Sequence, residues 1–81
     1  MTPEVLRYIR QLLGLNQSEL AKKVGVSTPS ICRYETNLIK MNASTELKIL
    51  QVFSDAGIST QDVIQIQAIF NRRKGETAKN G

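Results

Sequence analysis

A short turn, Gly25-Val26-Ser27 with or without Thr28, joins two short helical segments and constrains the fold more than any other feature of the chain. The first segment opens at Asn16 with Glu19 three residues on, which is the pattern of a capping box. Its end before Gly25 is typical of a helix that stops in a left-handed residue. Because the turn is so brief, the two helices must pack directly against each other.

The residues around this turn are those that a helix-turn-helix requires. Ala21 is small enough for two helices to cross closely, and Gly25 takes a backbone conformation that a side chain would resist. Val26 and Ile31 can pack against Leu20 and fix the angle between the helices. The outer face of the second helix then stays free, and the major groove of B-DNA is wide enough to admit it.

The second of these helices has two possible starts. Ser27 can cap it with Thr28 as the first helical residue, or Thr28 can cap it with Pro29 as the first helical residue. A residue before proline avoids the α region, and proline favours the first helical position. We therefore expect the second alternative, with Ile31 and Tyr34 pointing inward.

Three further helical patterns predict an all-α domain of five helices, with no convincing strand. Helix one is capped by Thr2 and ends at Gly14, helix four starts near Ser44 and stops at Gly57, and helix five follows a cap at Ser59. Residues 36–43 are predicted to form a loop. We expect a folded domain of residues 1–71 and a basic, disordered tail of residues 72–81, which is either solvated or in contact with a polyanion.

Composition excludes several functions for this chain of 81 residues. With a single cysteine the chain cannot form an internal disulfide. Without histidine it also lacks the usual sets of zinc ligands. We therefore expect no metal, and we expect no cofactor and no small-molecule ligand because the chain has no room for a ligand-sensing domain. The missing histidine, the lack of a nucleophile with a plausible base and the lack of a phosphate-binding glycine loop argue against an enzyme. No secretory signal or apolar run of membrane-spanning length is present, which predicts a cytoplasmic protein without membrane contact.

The stretch GLNQSELAKKVGVSTPSICRYE, residues 14–35, resembles the helix-turn-helix domain of the Cro/phage-repressor family, also called the XRE family. The resemblance extends from about Ile9 to Gly57 and implies a compact, lambda-repressor-like domain. It also implies a sequence-specific regulator of transcription, a repressor or Cro-like protein of a phage or other mobile element. Such a protein binds double-stranded DNA with helix three in the major groove, as a homodimer on a two-fold operator.

Carried over position by position, the resemblance implies which residues meet DNA. The residues implied to reach base edges are Thr28, Pro29, Cys32 and Arg33. The residues implied to approach phosphates are Asn16, Gln17, Ser30, Lys40, Asn42 and Ser44. Arg10 and Glu35 match a pair that forms a salt bridge between helix one and the end of helix three. Asn37 stands where the family commonly has glycine, and asparagine is the next-best residue for a left-handed helix end.

The last part of the chain is more apolar than a terminal helix needs. Ile58, Ile64 and Phe70 predict a two-fold dimer contact, with ordinary packing of helix five as the alternative. A second functional hypothesis keeps the fold but makes it an interaction module, such as an antitoxin or the partner of another regulatory protein. Helix five and the basic tail would then bind protein.

Overall fold

Five α-helices make up the described backbone of the computed structural model, which covers residues 1–80, with side chains described for residues 1–73. They are α1 (Pro3–Leu12), α2 (Gln17–Val24), α3 (Thr28–Glu35), α4 (Ala43–Asp55) and α5 (Thr60–Asn80). This confirms the predicted helical order, with the helix-turn-helix at α2 and α3. No strand occurs in the described backbone.

Reciprocal capping bonds set the starts of two helices. At α2, the Oδ1 atom of Asn16 accepts a hydrogen bond from the backbone nitrogen of Glu19 at 2.7 Å. The Glu19 carboxylate accepts in return from the backbone nitrogen of Asn16 at 2.9 Å, which completes the predicted capping box. Ser59 and Asp62 exchange the same two bonds at the start of α5. Local sequence therefore fixes where these helices begin.

The predicted start of α3 is wrong by one residue. Its N-cap is Ser27, Thr28 is the first helical residue and Pro29 is the second. The Oγ atom of Ser27 accepts from the backbone nitrogen of Ser30 at 3.3 Å. Proline costs no hydrogen bond here because the first N–H groups of a helix have no intrahelical partner. The capping bond therefore outweighs the tendency of a residue before proline to be extended.

The loop between α3 and α4 ends one residue earlier than predicted. Asn42 caps α4, since its Oδ1 atom accepts from the backbone nitrogen of Thr45 at 2.7 Å, and Ala43 is the first helical residue. The sequence places this start near Ser44. At the other end of the loop, Asn37 has a φ of 62°, the left-handed conformation predicted for it.

A single apolar core joins all five helices. Its largest fully buried side chains are Leu6, Ile9, Leu20, Ile31, Ile49 and Phe53. α2 and α3 pack against each other, α1 packs against α3 and α5, and α4 packs against α2. Burial of each large aliphatic side chain contributes about 1.5–3 kcal/mol, so this core is the main support of the position of α3.

The last helix continues beyond the predicted end of the domain. The predicted boundary at residue 71 lies inside α5, and Arg72 and Arg73 are exposed on this helix. The rest of the predicted tail, residues 74–81, lies outside the described side chains. The division of the chain at residue 71 stays a prediction. At its other end α5 joins the core through Val63, which is 5% exposed.

Candidate nucleic-acid interface

α3 has one face in the core and one in solvent. Ile31 is fully buried and Tyr34 is 9% exposed, so these two side chains anchor the helix. Residues four apart share a face of a helix. Two such pairs hold the predicted base-reading residues, all of them exposed: Thr28 with Cys32, and Pro29 with Arg33. The structure therefore places all four on the solvent side of α3, and we call them the reading face.

Arg33 carries the charge of the reading face. Its side chain makes no hydrogen bond or ion pair within residues 1–73, and its guanidinium group keeps all its donors available. Cys32, beside it, is an exposed free thiol. The reading face thus combines one unpaired cation with short side chains, which allows close approach of another surface.

The predicted salt bridge between Arg10 and Glu35 is present and nearly excluded from solvent. The Nε atom of Arg10 donates to Glu35 Oε2 at 2.6 Å, and Nη2 donates to Oε1 at 3.0 Å. The two side chains are only 10% and 3% exposed. The remaining Nη1 atom donates to the carbonyl oxygen of Leu15 at 2.8 Å. One guanidinium group therefore joins α1 to the last residue of α3 and to the turn before α2.

Gln17 has a role that the sequence reasoning missed. Its Nε2 atom donates to Glu35 Oε1 at 3.1 Å, which gives the Glu35 carboxylate a third side-chain hydrogen bond. No buried side-chain nitrogen or oxygen of the described residues lacks a partner. The sequence could not show this contact, because it depends on how α2 packs on α3. Gln17 remains at the start of α2, where free N–H groups and the helix dipole favour an anion.

The other predicted phosphate-contacting residues lie at helix ends or in the loop after α3. Asn16 and Asn42 act as N-caps through their Oδ1 atoms, which leaves their amide N–H groups able to donate. The hydroxyl group of Ser30 lies 2.8 Å from that of Ser27. Lys40 and Ser44 are exposed. The starts of α2 and α4 therefore each carry an asparagine that can still bind an anion.

The residues predicted for a dimer contact do not have the same environment. Ile58 and Phe70 are partly buried against the core of their own chain, and the Phe70 ring lies edge-on to Tyr8 with ring centroids 5.4 Å apart. Ile64, in contrast, is 56% exposed. It lines a groove of about 440 Å³ between α4 and α5, together with Leu50. Of the three, only Ile64 offers a side chain that is mostly open to a partner.

Other kinds of site can be checked directly in the described part of the chain. No group of three or more cysteine and acidic residues is close enough there to hold a metal ion. None of the helices in that part is both long and apolar enough to cross a bilayer.

The fold and the exposed face of α3 define a helix-turn-helix DNA-binding domain of the lambda-repressor-like, all-α type. A family model described as helix-turn-helix matches residues 6–54, more than half of the chain. The chain therefore belongs to the helix-turn-helix family of the XRE, or Cro/phage-repressor, type, as its resemblance implies.

Two relatives of known name are similar to the chain over part of this region. It is 41% identical over 46 residues to the antitoxin HipB of Escherichia coli O6:H1 strain CFT073, which covers 57% of this chain and 49% of that protein. The same identity and length hold for the antitoxin HipB of Escherichia coli K12, with 57% and 52% covered. The chain thus spans about half the length of these relatives.

Proposed function

We propose that this protein is a sequence-specific transcriptional regulator, a repressor or Cro-like protein of a phage or mobile element, that acts in the bacterial cytoplasm. It binds double-stranded DNA with α3 in the major groove. The observation that supports this function best is the division of α3 into two faces. Ile31 and Tyr34 hold the helix on the core, while all four side chains of the reading face are exposed.

Base reading depends chiefly on Arg33 in this proposal. A free guanidinium group can donate two parallel hydrogen bonds to the O6 and N7 atoms of guanine, and each such pair discriminates by about 1–3 kcal/mol. Thr28 and Pro29 lie in the first turn of α3, where their apolar atoms can meet thymine methyl groups. Cys32 is a small side chain that lets the helix approach the bases closely.

In this proposal, affinity for DNA comes mainly from contacts with backbone phosphates. The starts of α2 and α4 present free N–H groups and the positive ends of helix dipoles, which suit contacts with the DNA backbone. Lys40 is an exposed cation in the loop between α3 and α4. Each neutralised phosphate releases counterions, so the binding constant falls steeply as salt concentration rises.

A homodimer completes the proposal. Two copies related by a two-fold axis would read half-sites about one helical turn apart. We place the contact on the surface of α5 that carries Ile64, because this side chain is mostly exposed and borders an apolar groove.

Selection of bound duplexes from a random library tests the proposal. The wild-type protein is compared with Arg33→Ala and with Lys23→Ala as a control of equal charge. Lys23 faces a groove against α4 and is not on the reading face. We expect the wild type and Lys23→Ala to select the same two-fold sequence, and Arg33→Ala to lose preference at one or two positions in each half-site.

Three results would each contradict a part of this proposal. A wild-type protein that enriches no sequence is not a sequence-specific regulator. An Arg33→Ala variant that selects the wild-type sequence with equal stringency shows that Arg33 does not read bases. A binding constant that stays the same between low and moderate salt would argue against the phosphate contacts.

A second candidate function is that of an antitoxin-like protein that binds another protein. Its support is the similarity to antitoxin HipB over 46 residues, which favours this candidate about as much as a repressor. Expression in the native host and purification in high salt distinguish the two. A stoichiometric protein partner that stays bound in high salt favours the antitoxin-like function. A homodimer purified alone under these conditions favours the repressor.

A further inference from the structure

The turn that ends α3 holds one leucine in solvent. Asn37 takes the left-handed conformation, and its N–H group donates to the carbonyl oxygen of Tyr34 at 3.2 Å. The N–H group of Leu38 donates to the carbonyl oxygen of Arg33 at 2.9 Å. These two bonds form a Schellman motif. The backbone of Leu38 is therefore fixed relative to Arg33 on the reading face.

Leu38 lacks the contact that its position in this motif usually has. The residue after the left-handed one frequently packs against an apolar side chain in the last turn of the helix. Here the two positions that could provide it hold Arg33 and the exposed Cys32. Leu38 remains 74% exposed, the highest value for a large apolar side chain in the described part of the chain. A rigid turn thus presents an apolar group beside the reading face.

The nearest cations before and after this leucine in the chain are unpaired within the described residues. Neither Arg33 nor Lys40 has a side-chain hydrogen bond or ion pair within the described residues. The carboxylates on the neighbouring elements are already bound. Glu35 is paired with Arg10, and Glu46, which shares a cleft with Lys40, accepts from the N-terminal ammonium group at 3.2 Å.

An apolar side chain with free cations before and after it in the chain matches the sugar-phosphate backbone of DNA. That surface alternates negative phosphates with the C–H groups of deoxyribose. A protein partner could offer similar chemistry, but the turn directly continues α3, which belongs to a DNA-binding domain. Any duplex that meets the C-terminal half of the reading face also comes close to Leu38.

We propose that Leu38 packs against deoxyribose C–H groups on the wall of the major groove. This inference rests on the proposed function of α3. Burial of apolar surface stabilises a complex without releasing counterions, so its contribution does not depend on salt. The contribution of Lys40, in contrast, would depend on salt. Each phosphate contact changes the slope of the logarithm of the binding constant against the logarithm of salt concentration, called the salt slope, by about 0.9.

The test measures binding to the duplex selected by the wild-type protein, at several salt concentrations, for Leu38→Ala, Lys40→Ala and Leu12→Ala. Leu12 is a matched control because it is an exposed leucine on α1. We expect Leu38→Ala to weaken binding by about three- to tenfold at every salt concentration, with the wild-type slope. Lys40→Ala should reduce the slope, and Leu12→Ala should bind like the wild type. Hydroxyl-radical footprinting should show that Leu38→Ala loses protection of one or two sugars in each half-site.

Four outcomes would overturn the inference. They are wild-type affinity of Leu38→Ala, a reduced salt slope for this variant, a lowered melting temperature that explains its weaker binding, and weaker self-association without DNA. The last result would assign Leu38 to a contact between copies of the chain. Wild-type protein that binds no duplex would refute the proposed function itself, whereas normal wild-type binding with an unaffected Leu38→Ala variant would refute this inference alone.

Discussion

Removal of only one partner of the ion pair between Arg10 and Glu35 should destabilise the protein more than removal of both. Arg10→Met deletes two charge-assisted hydrogen bonds to a carboxylate that is 3% exposed, and each such bond contributes about 1.5–3 kcal/mol. Among the described side chains, Gln17 is then the only one that still donates to Glu35. The loss of one partner of a buried pair costs about 3–5 kcal/mol, because the remaining charge is left in an apolar environment.

Such a loss is large for a domain of this size. Natural domains are stable by about 5–15 kcal/mol, and each kcal/mol lost lowers the melting temperature by about 4–8 °C at this length. We therefore expect Arg10→Met or Glu35→Leu to lower the melting temperature by at least about 12 °C. The double variant leaves no stranded charge and should be more stable than either single variant.

Thermal and urea unfolding, followed by far-ultraviolet circular dichroism, would give the double-mutant cycle. We expect a coupling energy of about 2–3 kcal/mol between the two sites. Arg7→Met is the control, since Arg7 is an exposed arginine one turn earlier on α1, and it should change stability by less than about 0.5 kcal/mol. If the two single losses add up to the loss in the double variant, the argument from a stranded charge is wrong.

Three further variants test particular contacts. Ser27→Ala should cost about 1 kcal/mol of unfolding free energy and Thr28→Ala much less, and equal losses in urea unfolding would contradict Ser27 as the cap. Gly25→Ala should cost about 1–2 kcal/mol from conformation alone, since φ is 86° and an added Cβ would meet no atom within 4 Å. Unchanged urea unfolding would refute this. Ile64→Glu should weaken self-association at least about tenfold in sedimentation equilibrium while the circular dichroism spectrum stays that of the folded protein, because a charge would be buried at the contact. Wild-type association would exclude Ile64 from the dimer contact.

Local signals predicted the helix ends well where one signal acted alone. The capping box at Asn16 and the left-handed ends at Gly25 and Asn37 are where the sequence places them. The predicted start of α3 was wrong because two local preferences competed there. Pro29 favoured one start and the hydroxyl group of Ser27 favoured the other, and only the geometry of the folded turn shows which bond forms.

Contacts between distant segments set the limit of the prediction. Helical periodicity was enough to place Ile31 inside and Arg33 outside. It could not show that Gln17 binds Glu35, since that contact depends on the packing angle of two helices. Nor could the sequence show whether Phe70 packs within its own chain or against a second copy. In the structure its ring packs against Tyr8 of α1 in the same chain.

The two faces of α3 have a consequence for how this protein can evolve. Eight residues form the helix, and within residues 1–73 the side chains of its reading face make no hydrogen bond or ion pair. Substitutions there leave Ile31, Tyr34 and the Glu35 pair untouched. Under the proposed function, a few mutations on the reading face would therefore change the preferred DNA sequence while the fold stays the same. Different residues of the same short helix therefore serve stability and the proposed specificity.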